Sequence, residues 1–489
     1  MTSEANGVDG LKYQLILALP ESPKVLIVGT DTGDCLPSVH IPQRTRVAKE
    51  LQKAIRETWN LDVIVLDLSR PGNGELPYAV AEVRSSTRPA ALRAVNFTNL
   101  MNFGLGEQLL AQLVSVLNRE QSSYSPFSRI GWIDQAITWL EAETGKRLSP
   151  NTKIDQYNAG GGFSLVHFRM EDESDYWLKA TGEPNSHELA VTCLLSELAR
   201  EYLPTVISTS LAWNAWLMSG GSAQGGELVD PFTLLEDAAD SMAELQVRTV
   251  GHRSNLLTVG AFDQSMAVLQ QRSEALFIFL EEAMVLQTSV KAPCVVAARL
   301  REIRVIFEDT CRRMEDLDLP QTIIHGDMNW GNILQSQNHC RFLDWSEAYV
   351  GCPFVTLPHL LLLNRAEGPE KSALLDAVLK DRYKRIWLRL RDETVIDEGF
   401  VYMPVLAVAS ALYGRGDWLS TSARDDPRRQ LYARSLTRHL DRATRSPDLL
   451  EALRCRSMLA TSRFCRHEAL FLDQELIKKG ASSDEAIGD

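Results

Sequence analysis

Three side chains that can bind a cation or accept a proton lie between residues 323 and 345. The segment IIHGDMNWGNIL carries Asp327 and Asn332, five positions apart, and FLD ends in Asp344, 17 positions after Asp327. Gly331 and the β-like residues before the histidine predict a loop, and the turn-like SQNHC predicts a short hairpin between the two aspartates. Phosphoryl transfer requires such a group, because one carboxylate accepts the proton of the attacking hydroxyl while oxygen ligands hold Mg²⁺ on the phosphates of ATP. The spacing therefore predicts that Asp327 acts on the hydroxyl and that Asn332 and Asp344 hold the metal.

Any one of these residues alone would be better explained as part of a polar surface turn. Three such residues between apolar, strand-like runs coincide less often than one, and the combination favours a site. A nucleotide-binding lobe upstream of the motif is an independent requirement.

The order HGDxxxxN, an apolar run and DW resembles the motif of the aminoglycoside phosphotransferase and choline kinase family, whose fold is protein-kinase-like. The resemblance implies that Asp327 is the catalytic aspartate, that Asn332 and Asp344 are metal ligands, and that His325 holds the loop. It also implies ATP and Mg²⁺ as cofactors.

The turn that follows the DW pair departs from that family's pattern. SEAYVGCPF supplies Gly351 and Pro353 but has Cys352 where an acidic residue is common, and an aspartate often found soon afterwards is replaced near Thr356. These departures concern the bracing of the loop more than its chemistry.

The segment 153–188 has the pattern of the required upstream nucleotide-binding lobe. It contains, in order, a strand, AGGG, a second strand, a lysine and a helix. Gly160, Gly161 and Gly162 can bring backbone N–H groups close to phosphate, and Ser164 can add a hydroxyl donor. Three glycines between strands most often form a hairpin turn, so this assignment depends on its context.

Lys179 ends a strand-like run and, by the kinase-like pattern, contacts the α and β phosphates of ATP. Glu188 or Glu197 on the following helix could pair with it, but they lie nine positions, or about 2.5 turns, apart and face different directions. The family pattern favours Glu188. Backbone groups near 216–218 are expected to receive the adenine.

Hydrophobic patterning predicts a small α+β domain followed by strands and a mainly helical second half. The family resemblance implies that the part after the small domain is a two-lobed, protein-kinase-like fold, so the whole chain is expected to be α+β. The small lobe should hold an antiparallel sheet and the large lobe should be mainly helical. The predicted segments are an N-terminal domain at 1–104, a helical connector at 105–150, the nucleotide-binding lobe at 151–220, the helical lobe with the catalytic loop at 221–478, and a flexible tail at 479–489.

The N-terminal domain loosely resembles a Nudix-like fold, with QKAIRETWNLDV where that family's signature helix would lie. That helix supplies several glutamates for metal, whereas Gln52, Lys53 and Arg56 stand here and leave Glu57 alone. One carboxylate cannot assemble the cluster. The domain is therefore expected to bind, regulate or dimerise, or to be simply another small α+β domain.

Composition excludes several classes of partner. The formal net charge is −13, which disfavours nucleic acid as a partner. Eight scattered cysteines suggest neither a zinc site nor a disulfide framework, and no continuous apolar run is long enough to cross a bilayer. We expect a cytoplasmic protein without a membrane partner, and a homodimer is only the base-rate expectation.

The predicted activity is ATP-dependent transfer of a phosphoryl group to a hydroxylated small molecule. An aminoglycoside-like antibiotic, and with it a role in resistance, is preferred; choline-type or sugar metabolites are the alternative, with Glu347 and Asp417 as weak candidates for contacting a cationic acceptor. A protein kinase is disfavoured because HGD and DWS replace HRD and DFG. A catalytically weak nucleotide-binding scaffold is the alternative from another class.

Overall fold

The computed structural model of the chain describes most residues between 10 and 454. Two compact units, residues 1–228 and 229–489, divide the chain. The predicted C-terminal tail, 479–489, lies outside the described residues. These residues are 10–30, 33–43, 45–69, 76–85, 87, 89–103, 105, 110, 113, 125–149, 154–219, 230–288, 290, 292–336, 339–364, 368–414, 416 and 424–454.

The first unit begins with a seven-stranded sheet, as its short apolar runs predict. Its elements are β1 (Gly10–Ala18), β2 (Lys24–Thr30), β3 (Gly33–Cys35), β4 (Ser38–Pro42), α1 (Val47–Trp59), β5 (Val63–Ser69), β6 (Tyr78–Val83) and β7 (Leu92–Asn96). Strand β1 is central, since it pairs antiparallel with β2 and β4 and parallel with β6. Strand β5 pairs with β6 at one edge, while β3 and β7 pair with β2.

Helix α1 covers one face of this sheet. Ala48, Leu51 and Ile55 are buried together, because positions three, four and seven apart fall on one side of a helix. The helix ends at Asn60, which takes a left-handed conformation with φ of 54° and donates its N–H to Arg56 O.

A five-stranded antiparallel sheet follows in the same unit, in the order β11-β12-β10-β9-β8. Its elements are β8 (Asp155–Asn158), β9 (Phe163–Arg169), β10 (Asp175–Thr181), α3 (Glu188–Leu198), β11 (Val206–Ser210) and β12 (Ala215–Ser219), with α2 (Trp132–Thr144) preceding them. Along β9, Ser164, Val166 and Phe168 are buried in alternation, as the two-residue period of a strand requires.

Helix α2 lies in the second half of the predicted helical connector at 105–150, whereas most of 105–120 lies outside the described residues. Ile133, Ala136 and Leu140 of α2 are completely buried. They belong to one hydrophobic cluster that also contains buried residues of both sheets, among them Ile16, Ile64, Leu66, Val166, Phe168 and Leu178. The two sheets of the first unit therefore share a continuous core.

The second unit is mainly helical, which confirms the predicted α+β class with a helical lobe after the sheets. A three-stranded sheet in the order β13-β17-β14 and the hairpin β15–β16 interrupt the helices. The elements are α4 (Pro231–Thr249), α5 (Arg253–Thr258), β13 (Phe262–Asp263), α6 (Met266–Gln271), α7 (Ser273–Val285), α8 (Ala297–Asp316), β14 (Thr322–Ile324), β15 (Ile333–Ser336), β16 (His339–Phe342), β17 (Tyr349–Gly351), α9 (Thr356–Leu363), α10 (Pro369–Trp387), α11 (Glu393–Tyr413) and α12 (Pro427–Ala443).

Helix α11 is, within the described part of the chain, the one helix long and apolar enough to cross a membrane by length and composition. Of its most apolar window, 61% is buried inside the protein, which is the environment of a core helix. Its first turns carry Glu393, Asp397 and Glu398, which end the apolar run at that side.

Candidate active site

In the first unit, an ion pair organises the residues predicted to bind the nucleotide. Lys179 on β10 places its Nζ 2.5 Å from Oε1 of Glu188, the first residue of α3. Both side chains are buried, and the Lys179 ammonium also lies 4.8 Å from the ring centroid of Phe163. Because a buried ion pair costs more to desolvate than a surface pair, its presence here suggests a function beyond stability. The pairing fixes the direction of the ammonium group.

The glycine turn, which we define as Gly160–Gly162, connects β8 and β9. Gly160 has a φ of 116°, a conformation that favours glycine. The turn packs tightly on the backbone that follows β10: Gly182 N donates to Gly162 O at 3.0 Å. A Cβ on Gly182 would lie 2.2 Å from Gly161 O, so only glycine fits there. Sequence reasoning missed Gly182, although its position after the lysine strand could have suggested it.

Ser164 differs from its predicted role as a phosphate donor. The residue is 1% exposed, and its hydroxyl donates to Asn158 O at 3.3 Å across the turn. Side chains alternate between the two faces of a strand, and Ser164 lies on the buried face of β9. This position brings its hydroxyl to Asn158 O. The structure thus places Ser164 in the bracing of the glycine turn rather than at its surface.

The backbone of 216–218, near which the adenine is expected to bind, lies within a sheet. Strand β12 lies between β10 and β11, and Trp216 pairs in register with Lys179 on one side and Thr209 on the other. Their backbone groups are used by the sheet. The segment that follows, 220–229, lies outside the described residues.

In the second unit, the loop between β14 and β15 carries the residues predicted to act on the hydroxyl and to hold the metal. Asn329 Nδ2 donates to Asp327 Oδ1 at 2.9 Å, and Asn332 Nδ2 donates to Asp327 Oδ2 at 3.1 Å and to Asp327 O at 2.9 Å. Asn329 also caps the short 3₁₀ turn Trp330–Asn332 by accepting from Gly331 N at 2.9 Å. Asp327 is partly exposed, so its restrained carboxylate can be reached by a substrate.

His325 is completely buried and joins this loop to the end of the hairpin. Its Nδ1 accepts the N–H of Asp327 at 3.3 Å, which leaves the proton on Nε2 to be donated to Leu343 O at 2.7 Å. The ring lies 4.5 Å from that of Trp345, which is buried as a packing residue. The predicted loop-holding role of His325 has this physical basis.

Asp344 directly follows Leu343, whose backbone oxygen accepts the hydrogen bond from His325. Leu343 N donates to Asn332 O at 2.9 Å, and Asp344 takes a left-handed conformation with φ of 64°. Few residues other than glycine adopt this conformation without cost, and such residues are frequent at functional sites. The hairpin therefore returns Asp344 to the loop that carries Asn332.

The donor set fits Mg²⁺. Asn332 uses its amide nitrogen toward Asp327, so the amide oxygen remains an acceptor, and Asp344 adds a partly exposed carboxylate. Mg²⁺ prefers oxygen ligands and is commonly held by one or two protein groups together with the phosphates of a nucleotide. Asn332 and Asp344 are the residues that would hold it.

Neutral side chains brace the strand that enters the loop. Gln246 on α4 donates through Nε2 to Ile323 O at 3.1 Å and to Thr356 Oγ1 at 2.8 Å. Tyr383 donates to Gln246 Oε1 and to Pro353 O. Burial raises the pKa of Tyr383 well above its ordinary value, so the hydroxyl stays a donor. Thr356, near which the sequence lacks the expected aspartate, is part of this neutral network. Sequence reasoning did not find these hydrogen bonds.

Glu347 lies beside the loop between β14 and β15. A Cβ on Gly326, whose φ is 81°, would lie 2.4 Å from Glu347 O and 3.0 Å from Glu347 Cβ. Tyr432 on α12 lies close as well: partial burial, followed by the negative charges of Glu347 and Asp327, raises its pKa. Asp417, the other candidate for an acceptor contact, lies outside the described residues.

No protein-family model matches the chain, and no curated protein matches its sequence. Similar solved structures include the apoenzyme of a macrolide 2'-phosphotransferase from Brachybacterium faecium, with 18% identity, 62% of this chain and 96% of the other covered, and a TM-score of 0.40. A choline/ethanolamine kinase family protein from Mesorhizobium loti has 14% identity and a TM-score of 0.42, and the match covers 66% of this chain and 99% of the other. An aminoglycoside phosphotransferase from Alicyclobacillus acidocaldarius has 17% identity and a TM-score of 0.39, and the match covers 69% of this chain and 98% of the other. The similarity concerns the fold, and the roles proposed below rest on the residues of this chain.

Proposed function

We propose that this chain is a cytoplasmic phosphotransferase that moves the γ-phosphoryl group of ATP to a hydroxyl group of a small molecule. The Asp327 carboxylate carries the proposal, because Asn329 and Asn332 hold its two oxygens at 2.9 and 3.1 Å on a partly exposed loop. A carboxylate held in this way has a defined direction for accepting a proton from a hydroxyl group.

In the proposed reaction the acceptor oxygen bonds to the γ-phosphorus while the bond from that phosphorus to the leaving oxygen of ADP breaks. The hydroxyl proton passes to Asp327. Lys179, oriented by Glu188 at 2.5 Å, offers a fixed positive charge to the α and β phosphates. Asn332 and Asp344 would hold Mg²⁺, which would supply further positive charge against the phosphates.

The preferred acceptor is an aminoglycoside-like compound, which carries both hydroxyl groups and protonated amines. Glu347 is exposed and adjoins Gly326, one residue before Asp327. Burial is the main cause of the raised pKa of Tyr432, and the negative charges of Glu347 and Asp327 nearby add to it. These two carboxylates make the local potential negative. Such a potential attracts cationic acceptors.

A choline-type amino alcohol is the second candidate, favoured by exposed aromatic surface in the same region. Trp330 on the loop is 39% exposed and Tyr432 is 53% exposed. Aromatic faces near a carboxylate suit a compact ammonium group, since cation–π attraction adds to the ion pair. A sugar acceptor would use the hydroxyl-directed chemistry without this contribution.

The test is transfer of phosphate from ATP with Mg²⁺ to a panel of an aminoglycoside, a macrolide, choline, ethanolamine and simple sugars, with phosphorylated product identified by mass and ³¹P NMR. The parent is compared with Asp327→Asn and with Asp381→Asn, an exposed aspartate on α10 that serves as the matched control. We expect Asp327→Asn to lower kcat about a hundredfold or more and Asp381→Asn to have no effect.

If the Asp327→Asn variant transfers phosphate as fast as the parent, Asp327 is not the base. Mg²⁺-dependent ATP binding without product on any acceptor would instead favour the nucleotide-binding scaffold. An aminoglycoside product with no choline product would select the first acceptor class over the second.

A further inference from the structure

Two buried glutamine side chains join the N-terminal domain to β8, the strand that leads into the glycine turn. Gln52 on α1 donates to Val63 O at 2.8 Å and to Ile154 O at 3.1 Å, and its Oε1 accepts from Gln156 N at 2.9 Å. Gln52 is 5% exposed and Gln156 is 0% exposed. Because buried amides must be paired to be tolerated, these bonds hold α1, β5 and β8 in one arrangement.

The Gln156 side chain also acts as a strand partner. The pairing of β5 with β6 shifts register between Val65 and Asp67. There Val65 N donates to Gln156 Oε1 at 2.8 Å, and Gln156 Nε2 donates to Val65 O at 2.7 Å. Strand β5 lies at the edge of its sheet, where outward backbone groups need partners, and this side-chain amide supplies both for Val65. Strand β8 is thus attached to the edge of the N-terminal sheet.

On the exposed side, Lys49 of α1 and Arg46, the residue before this helix, contact the next two residues of β8. Arg46 donates to Asn158 Oδ1 at 3.1 Å. Lys49 Nζ lies 3.3 Å from the Tyr157 hydroxyl and 4.5 Å from the centroid of its ring. Ala159, the following residue, packs against the hydrophobic cluster of the N-terminal domain. Every residue from Gln156 to Ala159 therefore contacts this domain.

The contacts continue into the glycine turn itself. A Cβ on Gly160 would lie 3.5 Å from Asp67 Oδ1, which places a side chain of β5 directly against the first glycine. Across the turn, Ser164 donates to Asn158 O at 3.3 Å, so β9 is tied to the segment that α1 holds. The position of the turn is set from both of its ends.

We propose that the N-terminal domain is a positioning module for the nucleotide site, which holds the glycine turn in the conformation that receives phosphate. Arg46, Lys49, Gln52 and Gln156 are the positioning residues and act through β8. A loop ordered before binding loses less conformational entropy when the ligand arrives, so its affinity is higher. This inference rests on the proposed function, because it assumes that the turn binds ATP.

The main experiment uses the full chain and a double variant, Arg46→Ala with Lys49→Ala, because both residues are exposed and their removal leaves no buried group unpaired. Arg56→Ala is the matched control: Arg56 lies on the same helix and forms an ion pair at 2.7 Å with Asp62 inside the N-terminal domain. Titration with a fluorescent ATP analogue and Mg²⁺ should show affinity weakened roughly threefold to tenfold in the double variant and unchanged in the control.

Gln156→Met is the second variant, since it keeps the shape of the side chain but removes both bonds to Val65. Its effect on affinity should be larger, roughly tenfold or more. In kinetics, the KM for ATP should rise in both variants while the KM for the acceptor stays constant. A merely structural contact would lower the unfolding temperature without this selective change in KM.

Unchanged nucleotide affinity in the double variant would overturn the inference while leaving the proposed function intact. Equal weakening in Arg56→Ala would overturn it too, because the effect would then come from general loss of stability. A parent that binds no nucleotide would overturn the proposed function and this inference together. If Gln156→Met does not fold, the exposed double variant decides alone.

Discussion

The amide nitrogen of Asn332 donates to both the backbone oxygen and the carboxylate of Asp327, at 2.9 and 3.1 Å. The same side chain, through its oxygen, is the proposed Mg²⁺ ligand. One residue would therefore align the base and place the metal, because the two ends of a planar amide cannot move independently. Alignment of the Asp327 carboxylate and binding of the metal are two effects of Asn332 that mutagenesis can measure separately.

Asn332→Ala should lower kcat about a hundredfold and raise the Mg²⁺ concentration needed for half-maximal rate, since it removes a ligand as well as the bond to Asp327. Asn329→Ala is the control, because it removes the 2.9 Å bond to Asp327 Oδ1 but no proposed ligand. Initial rates measured across Mg²⁺ concentrations should show a lower kcat but an unchanged Mg²⁺ requirement in Asn329→Ala. The same Mg²⁺ requirement in both variants would remove Asn332 from the metal site.

Lys179→Met should destabilise the protein by roughly 3–5 kcal/mol, because it leaves the Glu188 carboxylate buried without its cation. The double variant Lys179→Met with Glu188→Leu should recover much of that free energy of unfolding but none of the nucleotide affinity. Denaturant titration and ATP-analogue binding measure the two quantities separately. Recovery of binding in the double variant would show that the ion pair serves stability alone.

Gly182→Ala should weaken nucleotide binding strongly, because the new Cβ would lie 2.2 Å from Gly161 O and displace the glycine turn. Gly29→Ala is the matched control in the same unit, since a Cβ there would have no atom within 4 Å. The ATP-analogue titration should give tighter binding for Gly29→Ala than for Gly182→Ala. Equal affinities would mean that the turn tolerates displacement and does not shape the site.

The free energy of unfolding should fall as the pH rises above about 9. Burial raises the pKa of the Cys352 thiol from its ordinary value of 9.0 to about 12. The unfolded chain then loses this proton first, so the stabilising contribution is complete below pH 9 and disappears between pH 9 and 12, by roughly 4 kcal/mol. Cys352→Ala should show a shallower decline in denaturant titrations, whereas Cys294→Ala, at an exposed thiol, should follow the parent.

The amino-acid sequence determined the parts of this protein that depend on short-range spacing. His325, Asp327 and Asn332 lie on one loop, and their mutual bonds need only a few residues of chain between them. Apolar alternation in FSLVHFR likewise determined a strand with one buried face. Local sterics and hydrophobic periodicity decide such features, so the site motif and the α+β class could be predicted.

Tertiary structure alone decided the features that join distant segments. Gln52 meets Gln156 across 104 positions, and Gln246 meets Thr356 across 110. Neither spacing nor residue type marks these pairs, because a polar side chain reveals its partner only when packing buries both. The orientation of Ser164 toward Asn158 was hidden for the same reason. The sequence therefore specified which residues could carry out the chemistry, while the fold decided which residues hold them in place.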